Sequence, residues 1–161
     1  MKCKPMSWAY LAGFFDGEGT LMARWSKNRH GGKSLRVTWQ VGQNEENSWV
    51  LDEILEFFEC DGRIKSPGDY IWANSGFSQK KFRQIRLEDA ASIRVILEET
   101  LPYLIVKRGK AERVHDFLKK KEKLIEDGWS YAAREQVTVA AEDMMEKLEN
   151  FLSSSVKKDE K

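Results

Sequence analysis

Residues 7–25, SWAYLAGFFDGEGTLMARW, end an apolar run in two carboxylates, each followed by glycine: Asp16-Gly17-Glu18-Gly19. Ser7 is a good N-cap, and the pattern from Trp8 to about Gly17 is helical. A helix C-terminus carries partial negative charge, so both acids stand at its unfavourable end. Carboxylates held there beside exposed glycine carbonyls make a site for a hard divalent cation. A simple Asp-Gly turn, with glycines that only let the chain leave the helix sharply, accounts for the same four residues. A calcium loop of the EF-hand kind does not. Its twelfth position, counted from Asp16, is Lys27 rather than Glu.

Periodicity shows which elements must position these acids. The helix from Trp8 is apolar on nearly every side, which predicts burial. Gly13 and Gly17 share one face and leave a flat strip where another backbone can come close. Leu21, Ala23 and Trp25 alternate with Arg24, Ser26, Asn28 and His30, Met22 being the exception. After a turn at His30-Gly31-Gly32-Lys33, Leu35, Val37, Trp39 and Val41 alternate with Ser34, Arg36, Thr38 and Gln40. Period two predicts a half-buried β-hairpin. Its outer face carries hydrogen-bonding side chains and no acid.

Asn47 or Ser48 then caps a helix to about Glu59, with Trp49, Leu51, Ile54, Leu55 and Phe58 at helical spacing. A second strand pair is expected at 62–66 and about 81–87. Ile64, Ile85 and Leu87 would point inward, and Arg63, Lys65, Gln84 and Arg86 outward. The intervening SPGDYIWANSGFSQ fits either longer strands or a loop. Asp89 caps a helix through Thr100, stopped by Pro102. Two more helices follow, at about 106–127 and 131–152.

The chain has 161 residues, 41% hydrophobic and 33% charged, with six tryptophans. This is a folded composition, read as one domain over 1–153 with a flexible tail at 154–161. No apolar run reaches the length of a membrane span, and MKCKPMSW lacks a signal-peptide core, so an intracellular protein with no membrane partner is expected. Cys3 and Cys60 fit no metal or redox spacing and read as reduced thiols. The net charge is only +1, but its distribution is uneven. Residues 20–43 and 62–87 are basic and flank the acidic segment 44–61. An ordinary solvated surface is the bland explanation; one face built for a polyanion, with another kept away from it, is the other. The order of elements predicts an α+β fold, α-β-β-α-β-β-α, with an open four-stranded antiparallel sheet and additional C-terminal helices. Two-stranded ribbons fit the DNA major groove and read base edges there.

LAGFFDGEG, Leu11 to Gly19, resembles the LAGLIDADG motif of homing endonucleases. LRVTWQVGQ at 35–43 resembles the second strand of the single-motif members, and LPYLIVKRGKA at 101–111 resembles their basic segment after the third helix. The resemblance runs from about Ser7 to Leu118. It implies the family's αββαββα half with a saddle-like sheet. It also implies a site-specific homing endonuclease that cuts a long, roughly palindromic double-stranded DNA by metal-dependent phosphodiester hydrolysis. With one motif and no internal repeat, the second half must be another copy. That makes a homodimer with Leu11, Ala12, Gly13, Phe15, Asp16 and Gly17 at the contact.

By the same resemblance Glu18 is the metal ligand, with the Gly17 carbonyl as a second. The ion is Mg²⁺, which Mn²⁺ can replace, and no other small-molecule cofactor is implied. Family members often carry Asp at this position; Glu is one methylene longer. Gln43 matches a position that holds the hydrated metal, and Lys107 matches a basic residue near the scissile phosphates. Arg108 and Lys110 match phosphate contacts, and Asp16 is assigned to structure. The DNA-facing set is Arg24, Ser26, Asn28, His30, Ser34, Arg36, Thr38 and Gln40 from the hairpin, with Arg63, Lys65, Gln84 and Arg86 from the second strand pair. The implied location is a bacterial cytoplasm or an organelle. The alternative is a non-cleaving nucleic-acid binder such as an intron RNA maturase; the presence of Glu18, Gln43 and Lys107 together favours the nuclease.

Overall fold

The computed structural model describes residues 6–27, 29, 31–73, 81–126, 128 and 130–159, with the backbone alone for 72, 73 and 154–159. Ser7 caps α1 (Trp8–Glu18), its Oγ accepting the Tyr10 N–H at 3.1 Å. The helix passes directly into β1 (Gly19–Lys27), which pairs with β2 (Lys33–Asn44). A 3-10 turn leads to α2 (Trp49–Asp61), which Gly62 ends in the left-handed region at φ 77. Then come β3 (Gly68–Ala73), β4 (Lys81–Leu87), α3 (Ala90–Thr100), α4 (Arg108–Glu126) and α5 (Tyr131–Asp159). The strands form one antiparallel sheet in the order β1-β2-β4-β3. The expected α+β architecture is therefore the one adopted.

The alternation in the hairpin sorts its side chains as expected. Leu21, Val37, Trp39 and Val41 are buried on the helix side with Ile85 and Leu87. Trp39 lies at the centre of this layer. Phe15 of α1 stacks on it at 5.3 Å, and Phe58 of α2 meets it edge-on at 5.9 Å. That packing explains Gly19, where a Cβ would come within 2.0 Å of the Phe15 ring. Its backbone is ordinary extended chain, so space and not a sharp exit demands the glycine. Asp16 and Gly17 are helical, which removes the Asp-Gly turn reading.

Four expectations are corrected. First, α1 is not buried all round: Leu11, Ala12 and Phe15 are fully buried, while Ala9, Tyr10, Gly13 and Gly17 are exposed. Second, 62–66 is not a strand. The Arg63 guanidinium folds back onto Asp61 and reaches Glu99, the Lys65 N–H donates to Ser92 Oγ at 2.9 Å, and Ser66 turns into the left-handed region at φ 53. Only Ile64 points inward as expected. The strand pairing with β4 lies further on, at Gly68–Ala73. Third, α5 runs to Asp159 instead of ending near 152; no Gly or Pro interrupts it, and Ser153 Oγ donates within the helix to the Glu149 carbonyl. Fourth, Cys60 is disulfide-bonded and not reduced, because spacing along the chain carries no information on which cysteines the fold brings together; Cys3 lies outside the described residues.

Candidate active site and nucleic-acid interface

At the end of α1 the two acids part. The Asp16 carboxylate turns back into the chain and accepts three backbone N–H groups: Ile105 at 2.7 Å and Val106 at 3.3 Å on one oxygen, Lys107 at 3.0 Å on the other. The Lys107 ammonium completes the clasp, donating to the Asp16 carbonyl and lying 5.6 Å from the centre of the Phe15 ring. Burial disfavours the charged carboxylate. The three N–H donors and the nearby ammonium outweigh it, and the Asp16 pKa lies below its ordinary value. Asp16 thus ties a loop some ninety positions away to the motif helix.

Glu18, the last residue of α1, is exposed. No hydrogen bond or ion pair joins its carboxylate to another described residue. The last carbonyls of a helix have no intrahelical donor, and at this end the Asp16 carbonyl is taken by Lys107. A free carboxylate, a neighbouring helix-end carbonyl at Gly17 and a fixed ammonium therefore share one corner. Carboxylate and carbonyl oxygen are the donors that Mg²⁺ or Mn²⁺ prefers, so the residues fit such an ion. Among the described residues no three of His, Cys, Asp and Glu converge; Mg²⁺ is commonly held by one or two carboxylates, with water and phosphate oxygens filling the other positions.

Gln43 lies two positions beyond the Gly19–Val41 pair, at the end of the sheet where α1 stops, in register with Arg83. Its Oε1 accepts the Asn44 N–H at 3.1 Å. Ile105 (84% exposed) and Val106 (77% exposed), tied to Asp16, present apolar groups beside this corner, and Tyr10 is exposed further back along α1. A Cβ at Gly13 or Gly17 would meet nothing within 4 Å. Neither glycine has a steric reason among the described residues. The expected contact set Leu11, Ala12, Phe15 and Asp16 is therefore corrected: those side chains serve the core or the Asp16 clasp, and the outward strip is Tyr10, Gly13 and Gly17.

The face of the sheet away from the helices is built in rungs set by strand register. Thr20 stands beside Gln40, Gln40 beside Arg86, and Arg86 beside Gly68. Met22 stands beside Thr38, Arg24 beside Arg36, and Ser26 beside Ser34. Gly42, Gln84 and Tyr70 form another rung. Ser26 and Ser34 satisfy one another, Oγ to Oγ at 2.9 Å. Phe82 covers Gly42, where a Cβ would come within 2.2 Å of its ring.

Two of the expected DNA-facing residues are not on this face, and a third, Thr38, belongs to it by register but is buried (7% exposed). Arg63 is spent on Asp61 and Glu99, which holds the Asp61 carboxyl below its usual range through the Arg63 hydrogen bonds. Lys65 lies in the loop bound to α3. Asn28 and His30 lie outside the described residues. Arg108 is exposed and pairs with Glu112 at 3.2 Å, and Lys110 is half-buried, which pushes its ammonium pKa down. Thr20, Met22, Tyr70 and Phe82 were missed. The parity of β1 already placed Thr20 and Met22 on the open face; Tyr70 and Phe82 became assignable only with the true position of β3.

The model of the LAGLIDADG endonuclease family matches residues 11–86. Solved structures share the fold. One is the homing endonuclease I-CvuI in complex with uncleaved DNA in the presence of magnesium, at 21% identity and TM-score 0.56, covering 85% of this chain and 78% of that one. A second is the archaeal intron-encoded homing endonuclease I-Vdi141I complexed with DNA, at 16% identity and TM-score 0.55, covering 86% and 82%. The meganuclease I-SmaMI on DNA matches at 13% identity and TM-score 0.59, over 86% of this chain but 44% of its own. No curated protein sequence matches. Motif, fold and family model point the same way: residues 11–86 are similar to the LAGLIDADG endonuclease family.

Proposed function

We propose that the protein is a site-specific DNA endonuclease that hydrolyses phosphodiester bonds of a long, roughly palindromic duplex as a homodimer. The observation that carries this reading is the split at the end of α1: Asp16 is consumed by the fold, while Glu18 stays free beside Lys107. The outward strip at Gly13 and Gly17, flanked by Tyr10 and Ile105, supports a second copy packed there. Such packing would bring two Glu18 carboxylates toward one axis. Glu18 and the Gly17 carbonyl would hold Mg²⁺ or Mn²⁺, which when bound lowers the pKa of water and neutralises phosphate charge. Lys107, clasped to the Asp16 carbonyl, holds a positive charge where a scissile phosphate would lie. The acid-free sheet face holds the duplex through Arg24, Arg36, Gln40 and Arg86.

The test is incubation of the purified protein with a randomised duplex library, with Mg²⁺ and with chelator. Selective cleavage that chelator abolishes is expected. Selective binding with no cleavage in either Mg²⁺ or Mn²⁺ replaces this reading with a non-cleaving nucleic-acid binder.

A further inference from the structure

The open face is not uniform, and its register translates into a pattern in the DNA. This inference rests on the reading of the sheet as the DNA-binding face. At the inner rung, the first that β1 shares on this face, Gln40 stands beside Arg86. The Gln40 Oε1 and the Arg86 Nε are both buried without a partner. Buried polar atoms are nearly always satisfied, so two unpaired on adjacent side chains point to a ligand that supplies the missing groups. The Arg86 guanidinium is held by its neighbours: Nη2 donates to Gln84 Oε1 at 3.4 Å, and Cζ lies 5.5 Å from the centre of the Tyr70 ring. Tyr70 in turn lies against Gly68, where a Cβ would meet it at 2.6 Å. Gly68 is the inner rung's fourth position, so its missing side chain makes room for the ring that seats Arg86.

The next rung outward is Met22 with Thr38; Thr38 is buried, so the half-buried Met22 thioether is what this rung presents. Beyond it Arg24 and Arg36 stand directly opposite one another, and neither forms an ion pair with a described acid. Like charges directly opposite destabilise a strand pair, and an anionic or acceptor-rich partner removes that cost. From Gln40 to Arg36 is four residues along one strand, roughly 13 Å. At about 3.4 Å per base step, that is about four base pairs.

We propose that each half-site of the target carries two guanine-containing contact points about four base pairs apart. The inner one is read by Gln40 and Arg86, the outer one by Arg24 and Arg36, and a thymine-tolerant step under Met22 lies between them. Arginine recognises guanine through a bidentate pair, glutamine recognises adenine, and apolar atoms pack on the thymine methyl. Tyr70 is a positioning residue for Arg86 and does not itself read a base.

Binding selection on a randomised duplex library, with no cleavage step, tests this. The wild-type profile should show two blocks of strong preference per half-site, centred about four base pairs apart, with an A·T-tolerant step between. Arg86→Ala should flatten the inner block alone by roughly 5- to 150-fold, and Arg36→Ala the outer block alone. Tyr70→Leu should weaken the inner block with Arg86 still present, and Arg86→Lys should keep affinity while losing guanine preference. A selected site with one block, with evenly spread preference, or with the outer block lost in Arg86→Ala overturns the proposal and leaves the nuclease reading standing. Selection that enriches no sequence overturns both.

Discussion

Asp16 and Glu18 stand two residues apart at the end of one helix, and the chain treats them oppositely. Asp16 faces inward, where three N–H donors and Lys107 surround it; Glu18 faces outward and has no partner among the described residues. The arginines divide the same way. Arg63 and Arg83 each meet two carboxylates, Asp61 with Glu99 and Asp69 with Asp52, whereas Arg24 and Arg36 meet none that is described. Residue type and local charge do not separate these groups. What separates them is whether the fold brings a counter-charge to the same side of the sheet.

Glu18→Gln should sharpen the contrast most. The amide keeps the shape and loses the charge at an exposed position, so thermal stability and specific DNA binding should be unchanged while cleavage of both strands disappears. Cleavage by the Gln variant at the wild-type rate would remove Glu18 from the chemistry. Asp16→Ala should do the reverse in kind. It strips the acceptor from three N–H groups and should lower stability by about 2 kcal/mol in urea unfolding. The loop carrying Lys107 would loosen, so cleavage should slow with base preference retained.

The pH dependence follows from the same clasp. The folded Asp16 pKa is depressed, so its stabilisation is present above the ordinary carboxylate value of about 4 and is lost as pH falls through the folded value. Acid unfolding of the wild type should therefore steepen below about pH 4. Asp16→Asn should be less stable at neutral pH and show a shallower fall in that window.

Much of this was legible in sequence where period and packing coincide. The hairpin alternation named the buried Trp39 and the open Arg36 correctly, because one face of each strand meets the helices. The second strand pair was misplaced because Arg63-Ile64-Lys65 alternates just as a strand does. The tie of Arg63 to Asp61 and Glu99, and of Lys65 to Ser92, is a tertiary effect that local pattern cannot carry. The motif was legible as a pair of acids, but not their division of labour, since the donors that claim Asp16 come from residues 105–107. The inward–outward split of α1 was hidden by its composition: Gly13 and Gly17 count as apolar whichever way they face.

Gly13→Leu separates the two faces of α1. A Cβ there meets none of the described residues within 4 Å, so the monomer should fold normally. If a second copy packs on that strip, the dimer should weaken by about 1–3 kcal/mol through overpacking. Light scattering of wild type and variant at micromolar concentration decides it. A wild-type monomer, free and on DNA, rejects the homodimer.

The smallest expected effects test the division of the arginines. Arg63 is about half exposed, and its ion pairs with Asp61 and Glu99 are surface pairs. Such pairs contribute about 0–1 kcal/mol, so Arg63→Ala should move stability by no more than that. It should leave DNA affinity and its salt dependence unchanged, because its charge is already matched within the chain. Arg36→Ala removes one of two like charges standing opposite, so folding should be unaffected or gain a few tenths of a kcal/mol. Its cost should appear only on DNA, as relaxed preference at the outer block. Side-by-side urea unfolding and salt titrations of binding distinguish the two. An Arg63→Ala variant whose salt slope drops by about one would return that residue to the DNA-contacting set. The rule that internal pairing removes an arginine from the binding face would then fail in this protein.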